Sequence, residues 1–224
     1  MYPPDNSENL GPYSHTKVKR LADRAHYDRD SIYRILDEGF VCHLGFIANG
    51  TPYVIPTGYG RRGDALYLHG ASANFALAES KKNATVSVTV TLIDGLVLSK
   101  SAFHHSINYR SVVSFGTVMP VEDVEEKKLA LETILNHIVP NRSNDTRPPS
   151  RSELKATRVV RYEIMEASAK IRIGEPKEEP EDIELDYWSG QIPIEWGYSD
   201  PIPSGNSNGK LPDYLVNFSR PANS

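Results

Sequence analysis

The sequence predicts a mainly β fold with peripheral helices (α+β), arranged as an antiparallel barrel with helices packed on its outside. Three observations predict it. After Gly39 the apolar pattern changes from helical to extended spacing. Neighbouring extended runs are joined by tight turns such as Asn49-Gly50, a connection that only antiparallel strands can use. The helical stretches fall between strands without the repeating βαβ rhythm of a doubly wound sheet.

Along the chain, residues 1–14 are polar, carry two adjacent prolines and show no periodicity, so a disordered tail is expected. The main domain is expected over 15–174. It starts with a basic cluster, "TKVKRLADRAHYDRD", read as a solvated arm. Asp30 is the expected cap of a helix through Glu38 with Ile32, Ile35 and Leu36 on its buried face, and Gly39 stops it. "FVCHLGFIANGTPYVIPTGYG" reads as a hairpin and "DALYLHG" as a third strand. "SANFALAESKKNA" reads as a short helix from Ser72 to near Asn83. "TVSVTVTLI" and "LVLSKSAF" read as two strands split at Asp94-Gly95, followed by the strand "YRSVVSFGTVMPV". In the clearest helix, "EDVEEKKLALETILNHIV", Asp123 caps with Glu126, and Leu131, Ile134, Leu135 and Ile138 form the apolar stripe. Ser150 and Glu153 mark a capped turn, and "RVVRYEIMEASAKIRI" supplies the last two strands. The total is about seven strands. Residues 175–203 form an acidic, aromatic extension expected to pack on the barrel or a partner, and residues 204–224 a flexible tail.

Composition narrows the function. A net charge of −4 gives no reason to expect nucleic acid. No apolar run approaches the ~20 residues of a membrane helix, and the polar N-terminus does not read as a signal peptide. One cysteine, Cys42, excludes an internal disulfide and fits a reducing, cytoplasmic setting. No metal site is expected: none of the seven histidines forms a helical i, i+4 pair with an acid, and His104 and His105 point to opposite sides if extended. There is no Gly-x-Ser-x-Gly elbow, and Cys42 in an apolar strand reads as buried and inert. Phosphate-loop motifs are absent. The strand-to-helix turn "LYLHGASAN" still suits an anion, through the free N–H groups near Ser72 and Asn74.

Three segments in order, "ILDEGFVCHLGF", "YLHG" and "AFHHSINYRSVV", resemble the flavin-binding split-barrel superfamily that includes pyridoxamine 5'-phosphate oxidase, in its flavin-nucleotide-binding branch. The resemblance runs from about Lys17 to Trp196. It implies a six-stranded antiparallel split β-barrel of FMN-binding type. It also implies a homodimer with FMN in two clefts at the interface. Pro56, Thr57, Gly58 and Tyr59 would lie nearest the ring. His69, Gly70, Ser72 and Asn74 would face the ribityl-phosphate. Lys100, Ser101, Asn108, Tyr109, Arg110 and Ser111 would add contacts, and Trp188 would stack at the ring's edge. His69 is the candidate catalytic residue.

Two departures qualify the resemblance. Asn74 and Phe75 stand where such proteins usually carry Arg or Lys. The Arg-Leu-His stretch that grips vitamin B6 phosphate is replaced by "YWSGQIPIEW", which argues against that substrate. The expected function is an FMN-dependent oxidoreductase acting on a small molecule, with nitro-group reduction as one possible activity. The alternatives are a non-catalytic flavin-binding or sensing dimer, a cofactor-free barrel, F420 in place of FMN, or haem binding.

Overall fold

In the computed structural model, which describes residues 8–82 and 85–219, Asp28 accepts a hydrogen bond from the Ser31 amide and opens α1 (Arg29–Glu38). The cap is Asp28 rather than Asp30, which sits in the first turn. The buried stripe is Ile32, Ile35 and Leu36 as the spacing predicts, and Gly39 ends the helix. Ahead of it lies the two-residue strand β1 (Ala25–His26).

β2 (Val41–Ala48) and β3 (Thr51–Arg62) form the expected hairpin, with Asn49 at φ 50° and Gly50 at φ 77° in its turn. Both residues are left-handed, as a two-residue turn that matches strand twist requires. β4 (Ala65–Ala71) pairs with β3 and leads to α2 (Phe75–Ser80). This helix is capped by Asn74 and begins three residues later than the Ser72 start. Its expected end at Asn83 lies outside the described residues. β5 (Val86–Leu98) is one long strand: Asp94-Gly95, expected to split two strands, is a bulge inside it. β6 (Ser106–Pro120) follows, then α3 (Val124–Ile138), α4 (Arg151–Ala156), the 16-residue β7 (Thr157–Arg172) and the short β8 (Gly190–Pro193). The caps Asp123 and Ser150 form as predicted, the latter in a complete capping box with Glu153.

All strand pairings are antiparallel, in the order β1-β7-β4-β3-β2-β5-β6, with β8 on β5 and a further pairing between β6 and β7. This corrects the expected six-stranded split barrel. One eight-stranded sheet forms, with β8 branching from it, and it does not resolve into the six-stranded barrel. The reason lies in strand length. The runs read as pairs of strands are single long ones, and two very short strands carry too few residues to show alternation.

One side of the sheet and α1 bury the main core, around Leu44, Tyr59, Leu66, Leu68, Val88, Val112 and Tyr162. α3 packs a smaller cluster, Ala130 and Ile134, against Tyr67 and Val159. Leu10 is buried in the main core and Asn9 bridges to Asp28, so residues 8–14 are ordered, while the rest of the expected N-terminal tail lies outside the described residues. Residues 220–224 of the expected C-terminal tail do as well. Among the described residues no helix is long and apolar enough to cross a membrane.

α3 approaches β3 closely enough that a Cβ on Gly60 would lie 2.6 Å from the Ile134 Cα. The clash is with backbone and cannot be relieved by a rotamer change. Gly60→Ala should therefore destabilise the fold by about 1–3 kcal/mol, read as a lowered urea midpoint. An unchanged midpoint would show that the α3–β3 contact is looser than described.

Candidate functional site

The turn from β4 to α2 gathers the best-formed group of site residues. Gly70 pairs with Arg158 across the β4–β7 ladder. The Asn74 side chain folds over Gly70, where any Cβ would meet its Nδ2 at 2.6 Å. Asn74 Oδ1 accepts from the Leu77 amide at 3.0 Å, and its carbonyl accepts from Arg158 Nη1 at 3.0 Å. Arg158 Nε and Nη2 make no hydrogen bond among the described residues, which leaves a permanent cation with open donors beside the turn. Ser72 is exposed, with its amide bonded to the Ala156 carbonyl. Asn74 and Phe75, which stand where the resemblance implies Arg or Lys, thus lie beside a cation contributed by β7. The signal was out of reach of local pattern, because Arg158 lies 88 positions after Gly70 and only their register joins them.

His69 lies on the other side of β4, beside Tyr67. It makes no hydrogen bond or ion pair among the described residues. Its edge reaches solvent, yet burial of the rest of the ring pushes its pKa below the ordinary value of 6.5. The imidazole is therefore neutral at pH 7, with a free lone pair.

The other predicted residues separate from this turn. Pro56 is exposed on β3 beside His43, and Thr57 Oγ1 donates to the Gly58 carbonyl at 3.3 Å. Tyr59 is fully buried, donating to the Leu36 carbonyl at 2.5 Å, so its ring belongs to the core. Arg110 faces the core side of β6, where two carboxylates hold it. Nε and Nη2 donate to Asp94 at 2.9 and 2.7 Å, Nη2 also to Glu38 at 2.7 Å, and Nη1 to the other Glu38 oxygen. Hydrogen bonds to Asp94 and then Glu38 raise its pKa further. A phosphate there would have to displace both acids.

Lys100 Nζ donates to the carbonyls of Ile183 and Leu185 at 2.5 and 2.7 Å. Ser101 caps the Phe103 amide. Buried Asn108 bonds to Gln191, Gly174 and Arg172. Lys100 and Asn108 thus anchor the C-terminal extension. Tyr109 and Ser111 are half-buried on β6, and Ser111 Oγ donates to the Lys170 carbonyl at 3.4 Å. Trp188 is exposed, lying over Gly190.

Cys42 is buried, its thiol pushed up to about 12 by desolvation, so it is no nucleophile. Among the described residues no three His, Cys, Asp or Glu side chains gather as metal ligands.

The outward side of the sheet is unusually apolar. Val41, Ile47 and Val54 are exposed on the hairpin, Val113 and Ile107 on β6, Leu96 on β5 and Ile192 on β8. A hollow of about 430 Å³ opens on it between His15, Phe46, Tyr53, Val54 and Phe115.

With the geometry in place, the kinship is informative. The model of the pyridoxamine 5'-phosphate oxidase family matches residues 28–171, so the chain belongs to that family of flavin-nucleotide-binding proteins. Among solved structures it is similar to the flavocytochrome Anf3 of Azotobacter vinelandii, at 33% identity and a TM-score of 0.86, over 92% of this chain and 97% of that one. It is also similar to an FAD and heme binding protein of Mycobacterium smegmatis, at 29% identity and a TM-score of 0.81, over 86% and 95%. A protein described as a candidate 5-nitroimidazole antibiotic resistance protein, from Bacteroides thetaiotaomicron, matches at 26% identity and a TM-score of 0.56, over 66% and 86%. No curated protein matches.

Because the folded pKa of His69 lies below 6.5, the unfolded chain binds more protons in the interval just under that value. Stability should therefore fall as pH drops from 6.5 towards the folded pKa, and His69→Gln should flatten that part of the urea-stability profile. Parallel profiles for the two proteins would contradict the desolvated placement.

Proposed function

We propose that the chain is a homodimeric flavin-dependent oxidoreductase, holding one flavin nucleotide in each of two clefts between protomers. The observation that carries this reading is the near whole-chain likeness to a flavocytochrome, at 33% identity. An open cation beside the turn where a flavin phosphate is expected supports it. A bound flavin supplies hydride and single-electron transfer, while the protein supplies binding and orientation.

Arg158 is the group that would hold the phosphate, through its open Nε and Nη2, with the Ser72 hydroxyl as a second donor. Pro56 and Gly58 give β3 a flat edge along which a planar ring can lie. His69, neutral at pH 7, would give or take a proton at the substrate. FMN is the flavin the sequence resemblance implies. FAD is the rival that the mycobacterial relative suggests, and both carry the phosphate this turn would hold. The substrate would be a small molecule other than vitamin B6 phosphate. The Bacteroides relative favours a nitro compound. The apolar outward face would be the dimer surface.

A second reading has its own observation. Two of the similar solved structures, covering 92% and 86% of this chain, are described as a flavocytochrome and an FAD and heme binding protein. In this reading a haem accompanies the flavin, and His69, which makes no hydrogen bond among the described residues, would be the residue that holds its iron. Haem added to the purified protein should give a Soret band that His69→Ala shifts or abolishes. No band in the wild type would remove this reading.

For the phosphate, Arg158→Met should weaken flavin binding about 10- to 100-fold, the loss of a charged hydrogen bond of about 1.5–3 kcal/mol. Quenching of flavin fluorescence measures it, and mass spectrometry of the released flavin distinguishes FMN from FAD. Equal affinity in Arg158→Met and wild type would overturn the phosphate assignment, and a chain that binds neither flavin would overturn the function.

A further inference from the structure

Two oppositely charged segments of this chain leave most of their charges without an ion pair among the described residues. The first is the extension that follows β7. Residues 175–188 carry Glu175, Glu178, Glu179, Glu181, Asp182, Glu184 and Asp186 against a single cation, Lys177. The extension is fastened to its own protomer mainly through uncharged atoms. Lys100 Nζ reaches the carbonyls of Ile183 and Leu185, and Arg172 reaches those of Gly174 and Glu175. Glu178 accepts from Ser99 Oγ and the Lys100 amide, and Glu179 lies 3.4 Å from His104. Glu175, Glu181, Asp182, Glu184 and Asp186 form no ion pair among the described residues. Between these acids stand Ile183, Leu185, Tyr187 and Trp188, all exposed, Trp188 to 67%. An acidic strap studded with bare apolar and aromatic side chains is costly to leave in water.

The second segment is the basic arm at residues 17–24. Lys17, Lys19 and Arg20 are exposed and Arg24 is half-buried, and none of the four meets a carboxylate among the described residues. Lys170 joins them, its Nζ donating to the Arg20 carbonyl at 3.2 Å. Like charge is crowded here: burial, and then the nearby Arg24, lowers the pKa of Arg172. Leu21, 42% exposed, adds an apolar contact point.

Strand order places the two segments on opposite edges of one surface. At this end of the sheet the ladder runs β8-β5-β6-β7-β1: β8 continues the strap on the β5 edge, and β1 continues the arm on the β7 edge. Between them lies the apolar row Ile192, Leu96 and Ile107, paired strand to strand and exposed to 47%, 40% and 43%. A two-fold axis running along β6 in the plane of this surface turns one copy so that its strap edge faces the arm edge of the other. The same operation forms the reciprocal contact, sets Ile107 against its own copy near the axis, and turns Leu96 and Ile192 of each copy towards the partner's β7 edge.

We propose that the acidic strap at residues 175–188 of each protomer docks on the basic arm at residues 17–24 of a second copy of this chain. The proposal rests on the dimer of the reading above and adds what fastens it. Two charge-complementary clamps flank an apolar centre, so assembly is salt-sensitive and its register is fixed. Trp188 and Tyr187 offer ring faces to the partner's Lys and Arg side chains.

The test is a charge swap on the full chain, read by sedimentation equilibrium at low and high salt. The triple change Lys17→Glu, Lys19→Glu and Arg20→Glu should weaken the dimer about tenfold or more. The strap change Glu181→Lys, Glu184→Lys and Asp186→Lys should do the same. Combining both should restore most of the affinity, with circular dichroism checking that each variant is folded. All six side chains are exposed or belong to surface segments without internal partners, so folding should survive. Equal dimer affinity in the arm variant and wild type overturns the proposal, as does a combined variant no tighter than the single sets. Flavin content, measured on the same samples, separates the two readings. A flavin-loaded monomer overturns the clamp and leaves flavin binding intact. A flavin-free dimer that obeys the charge swap supports the clamp and overturns the flavin.

Discussion

β7 has to pair on both edges along its length, and the rest of the structure depends on that constraint. It meets β4 and then β1 on one side and β6 on the other, with a register shift at Phe115/Gly116. The shift brings the Glu163 carbonyl to 1.8 Å from where a Cβ on Gly116 would stand, so only glycine lets the two long strands bend together. Once the bend is set, the register follows. Arg158 is brought opposite Gly70 at one end of β7, and Lys170 and Arg172 lie beside the basic arm at the other. A single strand thereby serves both the turn proposed to hold the phosphate and the edge on which a second copy would dock.

Charge is sorted around this frame. Most arginines near the core are already spent. Arg110 closes one end of the core between Glu38 and Asp94. Arg61 is gripped by Asp37 through Nε at 2.6 Å and through Nη2, and stacks over Tyr33 at 4.2 Å; Arg29 pairs with Asp64. Buried pairs of this kind contribute little net stability but are damaging to break singly. Arg158 and the arm cations are different, because they hold donors that no carboxylate among the described residues has taken. The acids do the same in reverse: Glu166 is buried and meets His15 at 2.8 Å, whereas Glu175, Glu181, Glu184 and Asp186 of the extension are exposed and form no ion pair among the described residues. The Cys42 thiol and the Tyr162 hydroxyl are both pushed up by burial, so neither is ionised at neutral pH.

Much of the local structure was legible. The stripe Ile32, Ile35 and Leu36, the Asn49-Gly50 turn and the caps at Asp123 and Ser150 depend on residues within a few positions of each other, and sequence shows such relations directly. Longer relations were hidden. Asp94-Gly95 predicts a split between two strands but forms a bulge inside one, because Asp-Gly suits both. β1 and β8 are too short to alternate. The expected six-strand barrel failed for the same reason, since strand count and closure are properties of register. At the candidate site, the Gly70–Asn74 turn is legible because it is local, whereas the pairing of Arg110 with Glu38, 72 positions away, and the register that sets Arg158 beside Gly70, 88 positions away, are not visible to local pattern.

Hydrogen–deuterium exchange, with and without added flavin, tests most directly where the cofactor sits. The account predicts slowed exchange at residues 69–77 and 157–159, the two strands of the turn, with residues 106–112 around Arg110 unchanged beyond any dimer effect. Protection confined to residues 99–112, with none at the β4–α2 turn, would contradict it.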